Sequence, residues 1–315
     1  PTPMDSISKL GCSPDELQLL FRKNIRCSSI AADGSDFRVM FVSGTTPVTV
    51  IGATGNCNAA GLSPIIKVKL SAPIQTKGSY QIILQTGSDG NTIIDECGQQ
   101  TVAGATLPFV TKDTVNANFT FNVKYGCQRD TINYFHDGRN EVNLWKWDFD
   151  SIRSSGLQNP VILYGSFGQK HTRLTVSNGV CSDTSAIVPI FLDNELKALF
   201  EATAIVCPGE TAFFKDSSIG NIVSWNWDFG NGVTSNSKTP APQTYLATKP
   251  TREVFPRLIV RNNYGCFDTA IQKIVVPYSC YIAVPNAFTP NNDGLNDYLY
   301  PLNAYKATNL LFRVY

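Results

Sequence analysis

Short runs of alternating apolar and polar residues, broken by turns, dominate this chain. Phe37-Arg38-Val39-Met40-Phe41, Ile66-Lys67-Val68-Lys69-Leu70 and Tyr80-Gln81-Ile82-Ile83-Leu84 alternate as half-buried strands do. Asp33-Gly34, Lys77-Gly78 and Asp89-Gly90 supply turns between them. Ser13-Pro14-Asp15-Glu16-Leu17 has the residue types of a helix start, yet the residues beyond Leu17 support no long helix. The pattern predicts an all-β chain.

Two later stretches repeat one another. Leu144-Trp145-Lys146-Trp147-Asp148-Phe149-Asp150 is matched by Ser224-Trp225-Asn226-Trp227-Asp228-Phe229-Gly230. Trp147 and Trp227 stand 80 residues apart, as do Cys127 and Cys207. Each tryptophan precedes a proline-bearing turn and a tyrosine (Pro160 and Tyr164, then Pro240, Pro242 and Tyr245). A β-branched run comes next in each copy, at Arg173-Leu174-Thr175-Val176 and at Arg257-Leu258-Ile259-Val260. Both copies close on Cys-x-Asp-Thr, at Cys181–Thr184 and Cys266–Thr269. Internal repetition of this kind marks a modular array. A period of two places Trp145, Trp147 and Phe149 on one face, predicted to be the core.

Composition narrows the class. Hydrophobic residues make up 43% of the 315 positions and charged residues only 16%, with a formal net charge of +1. The apolar content suffices for real cores, and no basic stripe exists to follow nucleic acid. The nine cysteines are dispersed, with no Cys-x-x-Cys pair and only His136 and His171 to help, so disulfides in an oxidising compartment are expected rather than zinc. No apolar stretch is long enough to span a bilayer. The opening Pro1-Thr2-Pro3, with no initiator methionine, is read as the start of a mature fragment.

The two repeats resemble the polycystic kidney disease (PKD) domain, an Ig-like sandwich with the hallmark W-D-F-G-D-G. Trp227-Asp228-Phe229-Gly230-Asn231-Gly232 departs from it at one position, whereas Trp147-Asp148-Phe149-Asp150-Ser151 keeps W-D-F and loses the glycine turn. The resemblance implies a spacer or binding module of secreted proteins, without catalysis of its own. The first 111 residues, with Ser35-Asp36-Phe37, Gly78-Ser79-Tyr80 and Ile94-Asp95-Glu96-Cys97-Gly98 in order, are similar to the bacterial Ig-like domains of surface-layer and adhesin proteins. From Cys280 the texture changes. Pro285, Asn286, Phe288, Thr289, Pro290, Asn291, Asp293, Gly294, Asn296 and Asp297 form the F-T-P-N-x-D-G-x-N-D pattern and its lead-in. This resembles the opening of the gliding-motility-associated C-terminal domain, the type B sorting signal of the type IX secretion system in Bacteroidota. An alternating strand from Leu310 to Tyr315 is predicted after it, and the sorting domain is incomplete as it stands.

The expected organisation is therefore tandem Ig-like β-sandwiches: a bacterial Ig-like domain over 1–111, PKD-like domains over 112–193 and 194–277, and the start of a β sorting domain over 278–315. Equivalent cysteines in two copies imply equivalent partners, which pairs Cys127 with Cys181 and Cys207 with Cys266. For the first domain Cys27–Cys57 and Cys12–Cys97 are preferred among three connectivities, leaving Cys280 unpaired.

Chemistry is sparse. Gly165-Ser166-Phe167-Gly168 is one residue short of G-x-S-x-G, and with His171 nearby it does not make a nucleophile elbow. No catalytic residue and no cofactor is expected. Asn291, Asp293 and Asp297 are candidate calcium ligands, although an Asx-rich turn is the preferred reading of the same residues. Ser6, Thr114, Thr131, Ser151 and Thr269 follow an aspartate, and the tripeptides are similar to the O-glycosylation motif of Bacteroidota envelope proteins. The resemblances together imply an exported cell-surface protein. Its partners would be the type IX machinery or an outer-membrane shuttle protein, and surface glycans. The competing reading is the non-catalytic, polysaccharide-binding region of a secreted multi-domain hydrolase.

Overall fold

The computed structural model describes residues 3–295 and 297–313. The chain is all-β, built as tandem β-sandwiches, and its one helical element among the described residues is the 3-10 turn Cys27–Ser29. It divides into two compact units: Pro1–Asn122 with Asn133–Val161 and Lys170–Ile190, and Val123–Ile132 with Ile162–Gln169 and Phe191–Tyr315.

Within the first unit, residues 3–111 form a two-sheet sandwich. One sheet orders Ser6–Ile7, Glu16–Arg26, Leu62–Leu70 and Val50–Gly55, all antiparallel. The other orders Phe37–Ser43, Gly78–Leu84 and Thr106–Thr111. Alternation sends Leu17, Leu19 and Phe21 inward from the first sheet with Ile66, Val68 and Leu70, to meet Phe37, Val39, Tyr80, Ile82 and Leu84 from the second. Each large side chain so buried contributes about 1.5–3 kcal/mol. Tyr80 stacks on Phe109 with centroids 5.1 Å apart and donates its hydroxyl to Thr46 O at 2.8 Å, which satisfies its one polar atom.

The expected helix start at Ser13–Leu17 is instead the approach to the longest strand, Glu16–Arg26. The acids that suggested a helix cap work across the sheet. Asp15 pairs with Lys69, and Glu16 lies 3.7 Å from Lys67, both lysines on the outward face of the neighbouring strand.

The two repeats build matching cages around their second tryptophan. Trp147 and Trp227 are fully buried, as are Phe149 and Phe229. Phe119 meets Trp147 edge-on at 5.0 Å and Phe200 meets Trp227 edge-on at 5.2 Å. Trp147 stacks on Phe149 at 6.0 Å and Trp227 on Phe229 at 5.9 Å. Each indole N–H donates to a backbone carbonyl ten residues on, Leu157 O at 2.8 Å and Ser237 O at 2.9 Å. The strand register is also shared, Trp147 facing Leu174 and Trp227 facing Leu258.

Trp145 and Trp225 correct the expectation of three core aromatics per strand: both are only half-buried. Each sits at the rim and donates its indole N–H to a polar side chain, His136 Nδ1 at 3.1 Å and Asp216 Oδ2 at 2.8 Å.

The C-terminal segment differs. Its one β-bridge among the described residues joins Ala283 and Leu302. The expected strand from Leu310 is absent at 310–313, with Leu311 exposed, while Val314 and Tyr315 lie outside the described residues. A single alternating segment with no paired neighbour has no ladder to join.

Candidate functional site

Cysteine pairing follows the repeat in period but not in partner. The disulfides are Cys12–Cys181, Cys27–Cys57, Cys127–Cys266 and Cys207–Cys280, with Cα–Cα separations from 4.6 to 6.2 Å. Cys27–Cys57 is as expected. Cys127–Cys181, Cys207–Cys266 and Cys12–Cys97 are not formed, Cys280 is bonded, and Cys97 is the free, exposed thiol.

The equivalence of Cys127 with Cys207 holds, but each bonds one step downstream. Cys127 of the first repeat takes Cys266 of the second, and Cys207 of the second takes Cys280 of the segment after it. Cys12, in the segment before the repeats, likewise takes Cys181 of the first. Three bridges thus join each segment to the next in sequence.

Polar contacts accompany them. Near Cys127, Asn194 Nδ2 donates to Gly126 O and Asp130 Oδ1, both at 2.8 Å, and Tyr125 packs on Tyr264 at 4.6 Å. Near Cys181, Asn178 Nδ2 donates to Asp113 O at 2.9 Å. Glu141 is shared by Lys112, at 2.8 Å, and Lys77. Lys112 foremost, then Lys77, holds the Glu141 carboxyl down at about 2.

The Cys-x-Asp-Thr tails have a second structural role that sequence spacing did not disclose. Asp183 Oδ2 accepts from Ala117 N at 2.8 Å, and Asp268 Oδ2 accepts from Ala198 N at 2.7 Å. In each copy the aspartate pins the segment that leads into the module's opening strand, Thr120–Lys124 in one and Phe200–Ala202 in the other. Asn178 Oδ1 and Asn262 Oδ1 accept from the amides of Cys181 and Cys266, fixing the turn that presents the bridging sulfur.

The C-terminal motif is held at the surface. Asn286, Phe288, Thr289, Pro290, Asn291, Asp293 and Gly294 are exposed, Pro285 and Asp297 are half-buried, and Asn296 lies outside the described residues. Asp297 makes the turn: its carboxylate accepts from Asn292 N at 2.6 Å and Gly294 N at 2.8 Å. Asp293 accepts from Leu295 N and from Asn291 Nδ2, both at 2.8 Å, and the Leu295 amide foremost holds its carboxyl below the usual range. The three calcium candidates therefore engage their oxygens with local amides as an Asx turn does. No group of three His, Cys, Asp or Glu side chains among the described residues is placed to hold a metal.

Of the candidate modified hydroxyls, Ser6, Ser151 and Thr269 are exposed, while Thr114 and Thr131 are half-buried. His171, weighed with the Gly165–Gly168 turn, has its Nδ1 3.6 Å from Asp150 Oδ1. Among the described residues no helix is long and apolar enough to cross a membrane.

No known family profile matches the chain. It is 33% identical to Collagenase ColA of Clostridium perfringens (strain 13 / Type A) over 123 residues, which is 38% of this chain and 10% of the collagenase. The chain thus spans about a tenth of that relative's length. Among solved structures, the N-terminal part of the bacterial S-layer protein SbsC aligns with a TM-score of 0.29 at 15% identity, over 60% of this chain and 43% of that one. The chicken CNTN1 FN1–FN3 domains align at 0.27 and 9% identity, over 88% of this chain and 100% of theirs.

Proposed function

We propose that this chain belongs to an exported cell-surface protein of the type IX secretion route, with non-catalytic Ig-like modules over 1–111, 112–193 and 194–277 as a disulfide-clipped stalk for adhesion or gliding contact. The C-terminal segment from 278 is its sorting element. One observation carries the reading: the F-T-P-N-x-D-G motif stands exposed on a carboxylate-braced turn, tethered to the second repeat by Cys207–Cys280. A turn whose specific side chains serve no core is available to a receptor. The four disulfides fit an oxidising, extracytoplasmic setting.

The test is surface delivery in the organism that makes the protein, read by protease shaving of intact cells. Asp297→Ala combined with Gly294→Ala is expected to leave the protein folded and inside the outer membrane. Normal surface exposure of that variant sinks the sorting assignment. The match to a collagenase favours a second reading, the accessory region of a secreted hydrolase. That reading gains if the purified chain pulls down an insoluble polysaccharide or protein fibre and the motif variant is exported unchanged.

A further inference from the structure

Away from the bridges and the motif, the first sandwich carries an unneutralised acidic pocket. Two turns meet there, 33–36 and 87–91. Ser88 N donates to Ser35 Oγ at 2.7 Å, and Gln85 N donates to Asp36 O at 2.7 Å, which zips the turns together. Asp36 is fully buried. Its Oδ2 accepts from Ala31 N at 2.7 Å, while its Oδ1 is buried against Gly87 with no hydrogen bond of good geometry. Asn91 Oδ1 is likewise buried and unpartnered.

Gly87 shapes the space between. A Cβ there would lie 2.4 Å from Asp36 Oδ1 and 3.1 Å from Asp89 Oδ1, so the two carboxylate oxygens converge beside the glycine, where no larger residue would fit. Asp33 adds a third negative charge, its own Oδ1 engaged by Ser35 N and Oγ. Among the described residues no lysine or arginine forms an ion pair with Asp33, Asp36 or Asp89. An orphaned buried carboxylate is costly to keep. Burial foremost, with Asp89 and Asp33 assisting, pushes the Asp36 carboxyl up to about 6.

We propose that the paired turns form a calcium site whose protein ligands are Asp36 Oδ1, Asp89 Oδ1 and Asn91 Oδ1. An all-oxygen set of two carboxylates and one amide suits a hard divalent cation and offers nothing to zinc or copper. The ion supplies the partner that two buried oxygens lack. Ser88, Asp89 and Gly90 are exposed, which leaves a way in and room for water to complete the coordination. Binding locks two turns separated by half the first domain, so the ion stiffens that sandwich.

The experiment is calorimetric titration of the full chain, stripped with EDTA, with calcium chloride. One ion per chain is expected, weakened at least tenfold by Asp36→Asn or by Asp89→Asn, whose side chain is exposed and unneeded for packing. Asp293→Asn with Asp297→Asn is expected to leave that binding unchanged. No binding overturns the proposal, as does binding that survives Asp36→Asn with Asp89→Asn or is lost in the C-terminal variant.

Discussion

The second repeat and the C-terminal segment after it carry equally recognisable motifs, yet only one of them is a packing instruction. In the repeat, Trp227-Asp228-Phe229 buries both rings in a cage with Phe200 and Phe214. In the C-terminal segment Tyr281 and Tyr298 face solvent, at 89% and 78% exposure, and the motif's Asp297 and Gly294 serve one turn. The first kind of motif encodes a core. The second encodes an exposed turn. Specificity of sequence is thus no guide to burial, and the two are separated by whether the fixed residues are large and apolar or small, polar and turn-forming.

The largest effect expected from breaking this contrast is at the cage. Trp227→Ala should cost about 3–5 kcal/mol and melt the second repeat, whereas Tyr298→Ala should move stability by less than about 0.5 kcal/mol. Chemical denaturation of both variants checks the pair, and similar losses would erase the distinction.

A middle-sized effect lies at the tail aspartate. Asp268→Ala strands the Ala198 amide and removes a charged acceptor, at a cost of about 1–3 kcal/mol. Asp183→Ala should cost the first repeat a similar amount through Ala117, since the two bonds are of nearly equal length. A neutral Asp268 variant would show that the shared Cys-x-Asp-Thr tail serves the bridge alone.

Smallest in stability is Asp297→Ala. It unpins the amides of Asn292 and Gly294 at the surface, and the free energy of unfolding should shift by no more than about 0.5 kcal/mol. Hydrogen exchange at those two amides should accelerate all the same. A large loss of global stability would mean that the motif is structural after all.

Much of the fold is legible in the residues. Phe37–Phe41 and Tyr80–Leu84 read as strands because their alternation is regular, and the tryptophan cages follow from the W-x-W-x-F period. Glu16–Arg26 hid behind Asp15 and Glu16, whose charges suit a helix start as well as they suit the facing lysines Lys67 and Lys69. Trp145 and Trp225 obeyed the period but stopped at the rim, a distance that only the sheet's width decides.

The cysteines are the sharpest case. Equivalence of Cys127 with Cys207 is visible in the spacing, but whether each bonds within its copy or to the next depends on how successive segments meet, which no local pattern records. The Asp36 pocket was equally hidden: Asp33-Gly34 and Asp89-Gly90 each read as a plain turn, and only the folded sandwich brings them together.

The central claim is that each segment is clipped to the next by one disulfide. Peptide mapping of the unreduced protein by mass spectrometry, on material taken from the organism that makes it, tests this most directly. The account predicts crosslinked peptides joining Cys12 to Cys181, Cys127 to Cys266 and Cys207 to Cys280, with Cys97 alone open to alkylation. Peptides joining Cys127 to Cys181 or Cys207 to Cys266, or a full set of free thiols, would contradict it.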